Sequence, residues 1–144
     1  MKRVVTGWQQ DGTPDVLIEG EPGLVVDFGQ TSASEIWMSS SMPPDTRGRA
    51  DTVPQAWQLE PPPGGTIFRL ATHQPGEEVA PHATETVDYV VVLSGELTLL
   101  IGDREIVLLA GDTVVQQATP HGWANRSTEP CTIAAVLVST RAVS

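Results

Sequence analysis

The sequence predicts an all-β fold, either a sandwich or a closed barrel, and three observations lead to this class. Most of the chain falls into short runs rich in branched side chains, which favour strands. Gly, Asp and Pro separate these runs at short intervals, as turns do in antiparallel sheets. No segment carries a long apolar stripe at helical spacing, so nothing in the pattern predicts a helix.

The sequence of residues 1–63 predicts an N-terminal arm, made of strands and a loop, that packs on the main barrel. The runs KRVVTGW and PDVLIEG flank Asp11-Gly12, a dipeptide typical of hairpin turns, and GLVVDFG and SEIWMS continue the strand pattern. The stretch MPPDTRGRADTVPQ is rich in Pro, Gly and charge and predicts a loop. The run PPPGG, at residues 61–65, is a second break.

Residues 64–144 predict the barrel, and the two regions together are expected to form one structural domain. Tight turns are predicted at Gly95, Gly102 and Gly111. The six strands predicted for the barrel are TIFRLATH, TVDYVVVLSG, ELTLLIG, REIVLLAG, DTVVQQ and CTIAAVLVS.

The net charge and the composition of the chain argue against some classes of binding partner. The chain has 8 Lys and Arg against 18 Asp and Glu, a formal net charge of −10, whereas nucleic acid and anionic membranes need a basic face. We expect neither as a partner. The first residues lack the apolar stretch of a secretion signal and no run has membrane-spanning length, so a soluble, cytoplasmic protein is expected. The one cysteine, Cys131, lies in an apolar run, which predicts a buried packing residue.

A glycine–histidine pattern occurs in the second half of the chain. Five residues separate Gly76 from His82, Thr84 stands two positions later, Asp88 follows, and Gly95 closes the pattern. This stretch resembles the first motif of the cupin superfamily. The family has a second His where this chain has Thr84, and a Glu where it has Asp88.

A second pattern begins at Gly111 and resembles the second cupin motif. Gln117 and Thr119 stand where the family has a Pro and a Gly. His121 comes one residue early, and Asn125 follows it at the family's distance. A looser similarity extends to small single-domain bacterial cupins.

The resemblance implies a double-stranded β-helix of jelly-roll type, a homodimer, and a small-molecule ligand or substrate. It also implies a divalent metal ion (Fe, Zn, Mn or Ni) held by His82, Asp88 and His121, which would be the catalytic residues. The favoured function is a metal-dependent lyase-type enzyme, a dehydratase, decarboxylase or isomerase, that acts on a small oxygenated metabolite. The alternatives are a non-catalytic small-molecule-binding cupin without metal and an Fe(II) dioxygenase.

The strand period supports convergence of these side chains. On one straight strand His82, Thr84 and Asp88 face the same way, and His121 and Trp123 share a face of theirs. Two imidazoles and one carboxylate suit Fe(II) or Zn(II) and leave positions open for water and substrate. Without a metal, His82 and Asp88 would instead form a hydrogen-bonded pair.

Four residues are candidates for substrate binding: Thr84, Trp123, Arg69 and Asn125. Trp123 is expected either as a pocket wall that stacks on a planar substrate or as ordinary core. Arg69 would bind a substrate carboxylate if it faces inward, and otherwise pair with an acid at the rim.

The sequence also predicts positions for three residues outside the motifs. His73 is expected at the rim rather than as a replacement ligand, and Glu77 in a solvated loop. Trp37 is expected either to cap the barrel mouth or to fill a dimer seam, and the enrichment of aromatic residues at interfaces favours the dimer.

Overall fold

The computed structural model describes residues 1–143, in which all regular elements are strands. This confirms the predicted all-β class. No helix in this part of the chain is long and apolar enough to cross a membrane. The twelve strands are β1 (Arg3–Trp8), β2 (Pro14–Gly20), β3 (Leu24–Asp27), β4 (Thr31–Ser39), β5 (Thr66–His73), β6 (Glu78–His82), β7 (Thr86–Ser94), β8 (Glu96–Ile101), β9 (Arg104–Leu109), β10 (Thr113–Gln117), β11 (His121–Ala124) and β12 (Cys131–Ser139).

Two antiparallel sheets form the body of the protein. The larger sheet has six strands in the order β10-β7-β12-β5-β4-β3, and the smaller has four in the order β6-β11-β8-β9. Strands that are neighbours in one sheet are often distant in sequence, as in a jelly roll, in which the chain crosses between two facing sheets. The predicted double-stranded β-helix is therefore confirmed.

The core lies between the two sheets because strands alternate their side chains. In β12 every second residue is buried, from Cys131 through Ile133 to Leu137. These side chains pack against Val92 on β7 and Leu97 on β8 in one apolar cluster. The prediction that Cys131 is a buried packing residue is confirmed, since none of its surface is exposed.

The N-terminal region divides into two parts. Strand β4 pairs with β5 from Thr31 opposite His73 to Ser39 opposite Thr66, so the six-stranded sheet crosses the boundary placed at residue 63. Strands β1 and β2 form a separate hairpin. Its buried Arg3 is anchored to the loop by two hydrogen bonds to the Asp51 carboxylate, at 2.6 and 3.1 Å.

The sequence analysis missed two short strands, β6 and β11. It placed His82 and Asp88 on one straight strand, which is wrong. Strand β6 ends at His82, and β7 begins at Thr86 in the other sheet. Strand β6 escaped notice because it is an edge strand with little apolar alternation and contains Pro81, which an edge position tolerates.

The turn between β7 and β8 depends on Gly95, and substitution there should be costly. Gly95 has φ +79°, and a Cβ atom would lie 2.4 Å from the Pro130 carbonyl oxygen. We expect Gly95→Ala to lower the free energy of unfolding by about 3 kcal/mol, from left-handed strain plus a backbone shift. Gly102, in the next turn at φ +59°, has open space around its Cβ position.

Gly102→Ala is therefore the matched control, with an expected loss of about 1 kcal/mol from the backbone conformation alone. Urea denaturation of both variants measures the difference. Equal losses would show that the contact with Pro130 does not restrict position 95.

Candidate functional site

A cavity of about 100 Å³ lies between the two sheets, and most of the predicted site residues line it. The four-stranded sheet contributes two histidines and a tryptophan, and the six-stranded sheet contributes the carboxylate and most of the apolar wall. The lining residues are Leu59, Arg69, His82, Thr84, Asp88, Val90, Gln116, His121, Trp123, Ile133, Ala135 and Leu137.

His82 and His121 form a cross-strand pair. They are Cα partners on the antiparallel strands β6 and β11, so their side chains share a face. Their ring centroids are 4.7 Å apart. The Nδ1 atom of His82 lies 3.1 Å from the Ala80 carbonyl oxygen, and that of His121 lies 2.8 Å from the Thr119 carbonyl oxygen.

These two contacts determine the tautomer of both rings. A carbonyl oxygen only accepts hydrogen bonds, so each Nδ1 carries a proton, and in the neutral form of each ring the lone pair is at Nε2. Metal-binding histidines are oriented in this way, with the second ring nitrogen donating to a carbonyl or a carboxylate. The pair therefore offers two nitrogen lone pairs to the cavity.

Asp88 lines the cavity from the sheet opposite the two histidines. Its carboxylate accepts a hydrogen bond from the first of two linked threonine hydroxyl groups. The Thr86 hydroxyl donates to Asp88 Oδ1 at 2.6 Å, and the hydroxyl oxygens of Thr84 and Thr86 are also 2.6 Å apart. Since Thr86 gives its one proton to Asp88, Thr84 must be the donor in the second bond. Thr84 therefore stabilises the carboxylate indirectly and keeps its own oxygen as an acceptor.

Burial disfavours the charged forms of two groups in the site. Burial raises the pKa of Asp88, and the Thr86 hydrogen bond together with the charges of His121, Arg69 and His82 offsets part of the rise. Burial also lowers the pKa of His121, which the hydrogen bond to the Thr119 carbonyl partly counteracts. His121 is thus neutral at pH 7, as a metal ligand must be.

Arg69 lines the cavity but uses four of its five N–H groups elsewhere. Nε and Nη2 bind the buried Glu35 carboxylate at 2.8 and 3.0 Å, which is the pairing with an acid that the sequence analysis left open. Nη1 and Nη2 donate to the carbonyl oxygens of Leu59 and Gln58. The guanidinium also lies 4.1 Å from the centre of the Trp57 ring. Arg69 therefore holds the loop before β5 against the cavity.

Trp123 fulfils both roles that the sequence allowed. It belongs to the apolar core and lines the cavity, where it meets the His121 ring edge to face at 5.7 Å. Asn125 does not line the cavity. Its Nδ2 donates to the carbonyl oxygens of His73 and Glu129, and its Oδ1 accepts from Ser127, so its amide holds the turn after β11.

The expectations for His73 and Glu77 are wrong. Their side chains are both only 6% exposed, and His73 Nδ1 lies 2.9 Å from Glu77 Oε2. The other oxygen of Glu77 accepts from the Thr31 hydroxyl. The reason is topological: His73 ends a central strand, with Thr31 and Cys131 opposite it on the two neighbouring strands.

Sequence analysis missed Gln116 and Leu59 among the lining residues. Gln116 stands in β10 two residues after the partly buried Val114, so it shares the inward face of that strand. A polar residue at an inward position was the signal available for Gln116. Leu59 lies outside the predicted strands, so no comparable signal indicated that it lines the cavity.

The donor types present fit a divalent metal, although the ligand cluster is incomplete. Within residues 1–143, no three His, Cys, Asp or Glu side chains are grouped closely enough to hold one ion. His82 and His121 form the preorganised part, and Asp88 lines the same cavity from the other sheet. Binding by all three would require Asp88 to approach the pair.

Asp88→Asn is expected to raise the free energy of unfolding of the metal-free protein at pH 7. The folded-state pKa of Asp88 is raised, so its favourable contribution is complete below the unfolded pKa and is lost as the pH rises through the folded pKa. Asn retains an oxygen that accepts from Thr86. The gain should shrink as the pH falls towards the unfolded pKa of about 3.9.

Urea unfolding at a series of pH values measures this gain, with Asp103→Asn, at an exposed turn position, as the matched control. A gain that does not vary with pH, or one that the control reproduces, would contradict the assignment to Asp88.

Comparison with known proteins agrees with the architecture. The family model for the cupin domain matches residues 69–138. Phomopsin biosynthesis cluster protein C' of Diaporthe leptostromiformis is 37% identical over 120 residues, which cover 79% of this chain and 61% of that protein. The cupin-domain-containing oxidoreductase srdD of Neurospora crassa is 31% identical over 131 residues, covering 85% of this chain and 65% of that protein.

This chain thus spans less than two thirds of the length of either relative. Among solved structures, an uncharacterized conserved protein with a double-stranded β-helix domain from Klebsiella pneumoniae is similar, with a TM-score of 0.57 and 20% identity. The similarity covers 82% of this chain and 84% of that one, and supports the fold alone. The family match over residues 69–138 and the two facing antiparallel sheets together show that this chain contains a cupin domain.

Proposed function

We propose that this chain is a metal-dependent cupin oxidoreductase that acts on a small oxygenated group of a biosynthetic intermediate. The observation that carries the proposal is the cross-strand pair of His82 and His121. Both rings have Nδ1 held by a backbone carbonyl and present Nε2 to the cavity that the buried carboxylate of Asp88 also lines. Two imidazoles and one carboxylate form the donor set of non-haem Fe(II) oxygenases.

In this proposal His82, His121 and Asp88 hold the ion. The ion, when bound, supplies Lewis-acid chemistry and, if it is iron, a centre for electron transfer with dioxygen. The chain's own residues prepare the site for it. The carbonyls of residues 80 and 119 orient the imidazoles, and the Thr84–Thr86 hydroxyl chain keeps a hydrogen bond on Asp88.

The walls of the cavity limit what can enter. Its volume of about 100 Å³ is the share of about three water molecules, so it admits a small ligand or one end of a larger one. Trp123, Val90 and Leu137 form an apolar wall that excludes bulk water. Leu59 borders the cavity from the loop that Arg69 holds in place.

The names of the relatives favour redox chemistry over the lyase-type step that the sequence analysis preferred. The Neurospora protein is named a cupin-domain-containing oxidoreductase, and the Diaporthe protein belongs to a biosynthesis cluster. A lyase or isomerase is the second candidate. The raised pKa of Asp88 favours it, because a carboxyl that gains and loses a proton nearer neutral pH suits general acid–base catalysis.

Metal content tests the proposed function. Protein purified without chelator and supplemented with Fe(II), Mn(II), Ni(II) and Zn(II) should retain close to one ion per chain. His82→Ala and His121→Ala should each lower the retained metal by about tenfold or more, because each removes one of three ligands. His73→Gln is the matched control, because this third histidine lies outside the cavity, and it should keep the wild-type content.

Metal content far below one ion per chain in the wild type would support the non-catalytic binding module instead. For the metal-loaded protein, a panel of small hydroxy acids and hydroxy ketones incubated in air and under argon separates the two reaction classes. Consumption only in air supports the oxidoreductase, and equal consumption under argon supports the lyase or isomerase.

We further propose a second copy of this chain as a partner. The outer face of the six-stranded sheet carries Phe68, Tyr89 and Val115 at 40%, 53% and 59% exposure, on β5, β7 and β10. Trp37, the Cα partner of Phe68, extends this apolar surface onto β4. A two-fold dimer would cover such a face with itself.

Light scattering tests the dimer, and the mass of a single chain at micromolar concentration would contradict it.

The cytoplasmic location expected from the sequence remains a prediction.

A further inference from the structure

Gln116 occupies a central position in the cavity. It lies on β10 directly opposite Asp88 of β7 and is 4% exposed. Its neighbours in sequence, Val115 and Gln117, are exposed on the other face of the strand. The Gln116 side chain is therefore directed between the sheets, where it lines the cavity together with the two histidines.

The amide nitrogen of Gln116 is buried and has no hydrogen-bond partner within residues 1–143. Buried donors of this kind are nearly always paired in folded proteins, and one that is not paired requires an explanation. The side chain makes no structural hydrogen bond that would account for its place in an apolar wall. Its position on the cavity suggests that the missing partner belongs to a ligand.

The other polar groups of the cavity mostly lack a proton to give. His82 and His121 present lone pairs at Nε2, and Thr84 has given its proton to Thr86. Arg69 has committed four of its five N–H groups to protein atoms. Gln116 Nε2 is thus a donor with both of its protons free, in a site otherwise rich in acceptors.

We infer that Gln116 selects the ligand of this cavity by donating a hydrogen bond to a carbonyl-type oxygen of a small hydroxy ketone or hydroxy acid. This inference deepens the proposed function and rests on it for the identification of the cavity as the site. A site with a buried donor discriminates strongly against an analogue that lacks the acceptor, because the donor is then left unpaired. The ligand's hydroxyl group faces the acceptors, where it can donate to an imidazole or to Asp88.

Three probes with a common three-carbon skeleton test the inference. Hydroxyacetone carries a ketone and a hydroxyl, lactate a carboxylate and a hydroxyl, and 1-propanol a single hydroxyl with no second oxygen to accept from Gln116. Each is titrated into metal-free and Zn(II)-loaded protein while the side-chain amide signal of Gln116 is followed by NMR. We expect that signal to shift with hydroxyacetone or lactate, and the two arms identify which carbonyl source is preferred. 1-Propanol, which leaves the Gln116 donor unpaired when its hydroxyl faces the acceptors, should bind about tenfold more weakly.

Two variants at neighbouring positions make the test specific. Gln116→Leu should lower the affinity for the preferred carbonyl probe by about tenfold and remove its advantage over 1-propanol. Gln117→Leu, on the exposed face of the same strand, should leave both affinities unchanged. Because the Gln116 amide nitrogen has no partner within residues 1–143, Gln116→Leu should not lower the melting temperature.

Three results would overturn the inference. They are a lack of response of the Gln116 amide to both carbonyl probes, equal binding of 1-propanol by the wild type, and a large loss of melting temperature in Gln116→Leu that Gln117→Leu does not show. The metal-free arm separates this inference from the proposed function. Carbonyl-selective binding in a protein that retains no metal would support the role of Gln116 and contradict the metal-dependent enzyme.

Discussion

Polar side chains buried between two β-sheets destabilise a protein unless each finds a hydrogen-bond partner, and this constraint shapes the whole interior of the chain. Within residues 1–143 at least eleven polar or charged residues are buried. Glu35 pairs with Arg69, His73 with Glu77, and the amide of Asn125 with the backbone around it. These pairings allow an interior that is only partly apolar. The buried amide nitrogen of Gln116, by contrast, has no hydrogen-bond partner within residues 1–143.

The ion pair between Arg69 and Glu35 connects the fold to the site. It bridges β4 and β5, and the same guanidinium holds two carbonyls of the loop that borders the cavity. Loss of one partner from a buried pair typically costs about 3–5 kcal/mol, because the other charge remains buried alone. The loop before β5 is therefore anchored by a structural interaction, and Leu59 keeps its place beside the cavity without regular secondary structure.

The site holds two ionisable groups whose charged forms are disfavoured by burial. Burial disfavours the ionised carboxylate of Asp88 and the protonated form of His121, so the protein holds both groups in an environment that opposes their charge. Groups whose pKa values are shifted by burial in a cleft are concentrated at functional sites. The same environment favours the neutral imidazole that a metal ion binds, and it raises the pKa of the Asp88 carboxyl in the direction that a proton-transfer step requires.

The sequence by itself determined the fold class and most of the strands, because β-branched runs and Gly or Pro breaks are local signals. The motif spacing also placed His82, Asp88 and His121 in one cavity, and the structure brings all three to it. The structure differs from the prediction in one respect, however. His82 and Asp88 line the cavity from opposite sheets, whereas the prediction had placed them on one straight strand.

Only the tertiary structure decided the partners of Arg69, the burial of His73 and Glu77, and the position of Gln116. Each of these depends on which distant strands become neighbours. Strand pairing between segments far apart in sequence leaves no periodic signal in either segment, so a single sequence does not reveal the contacts that it creates.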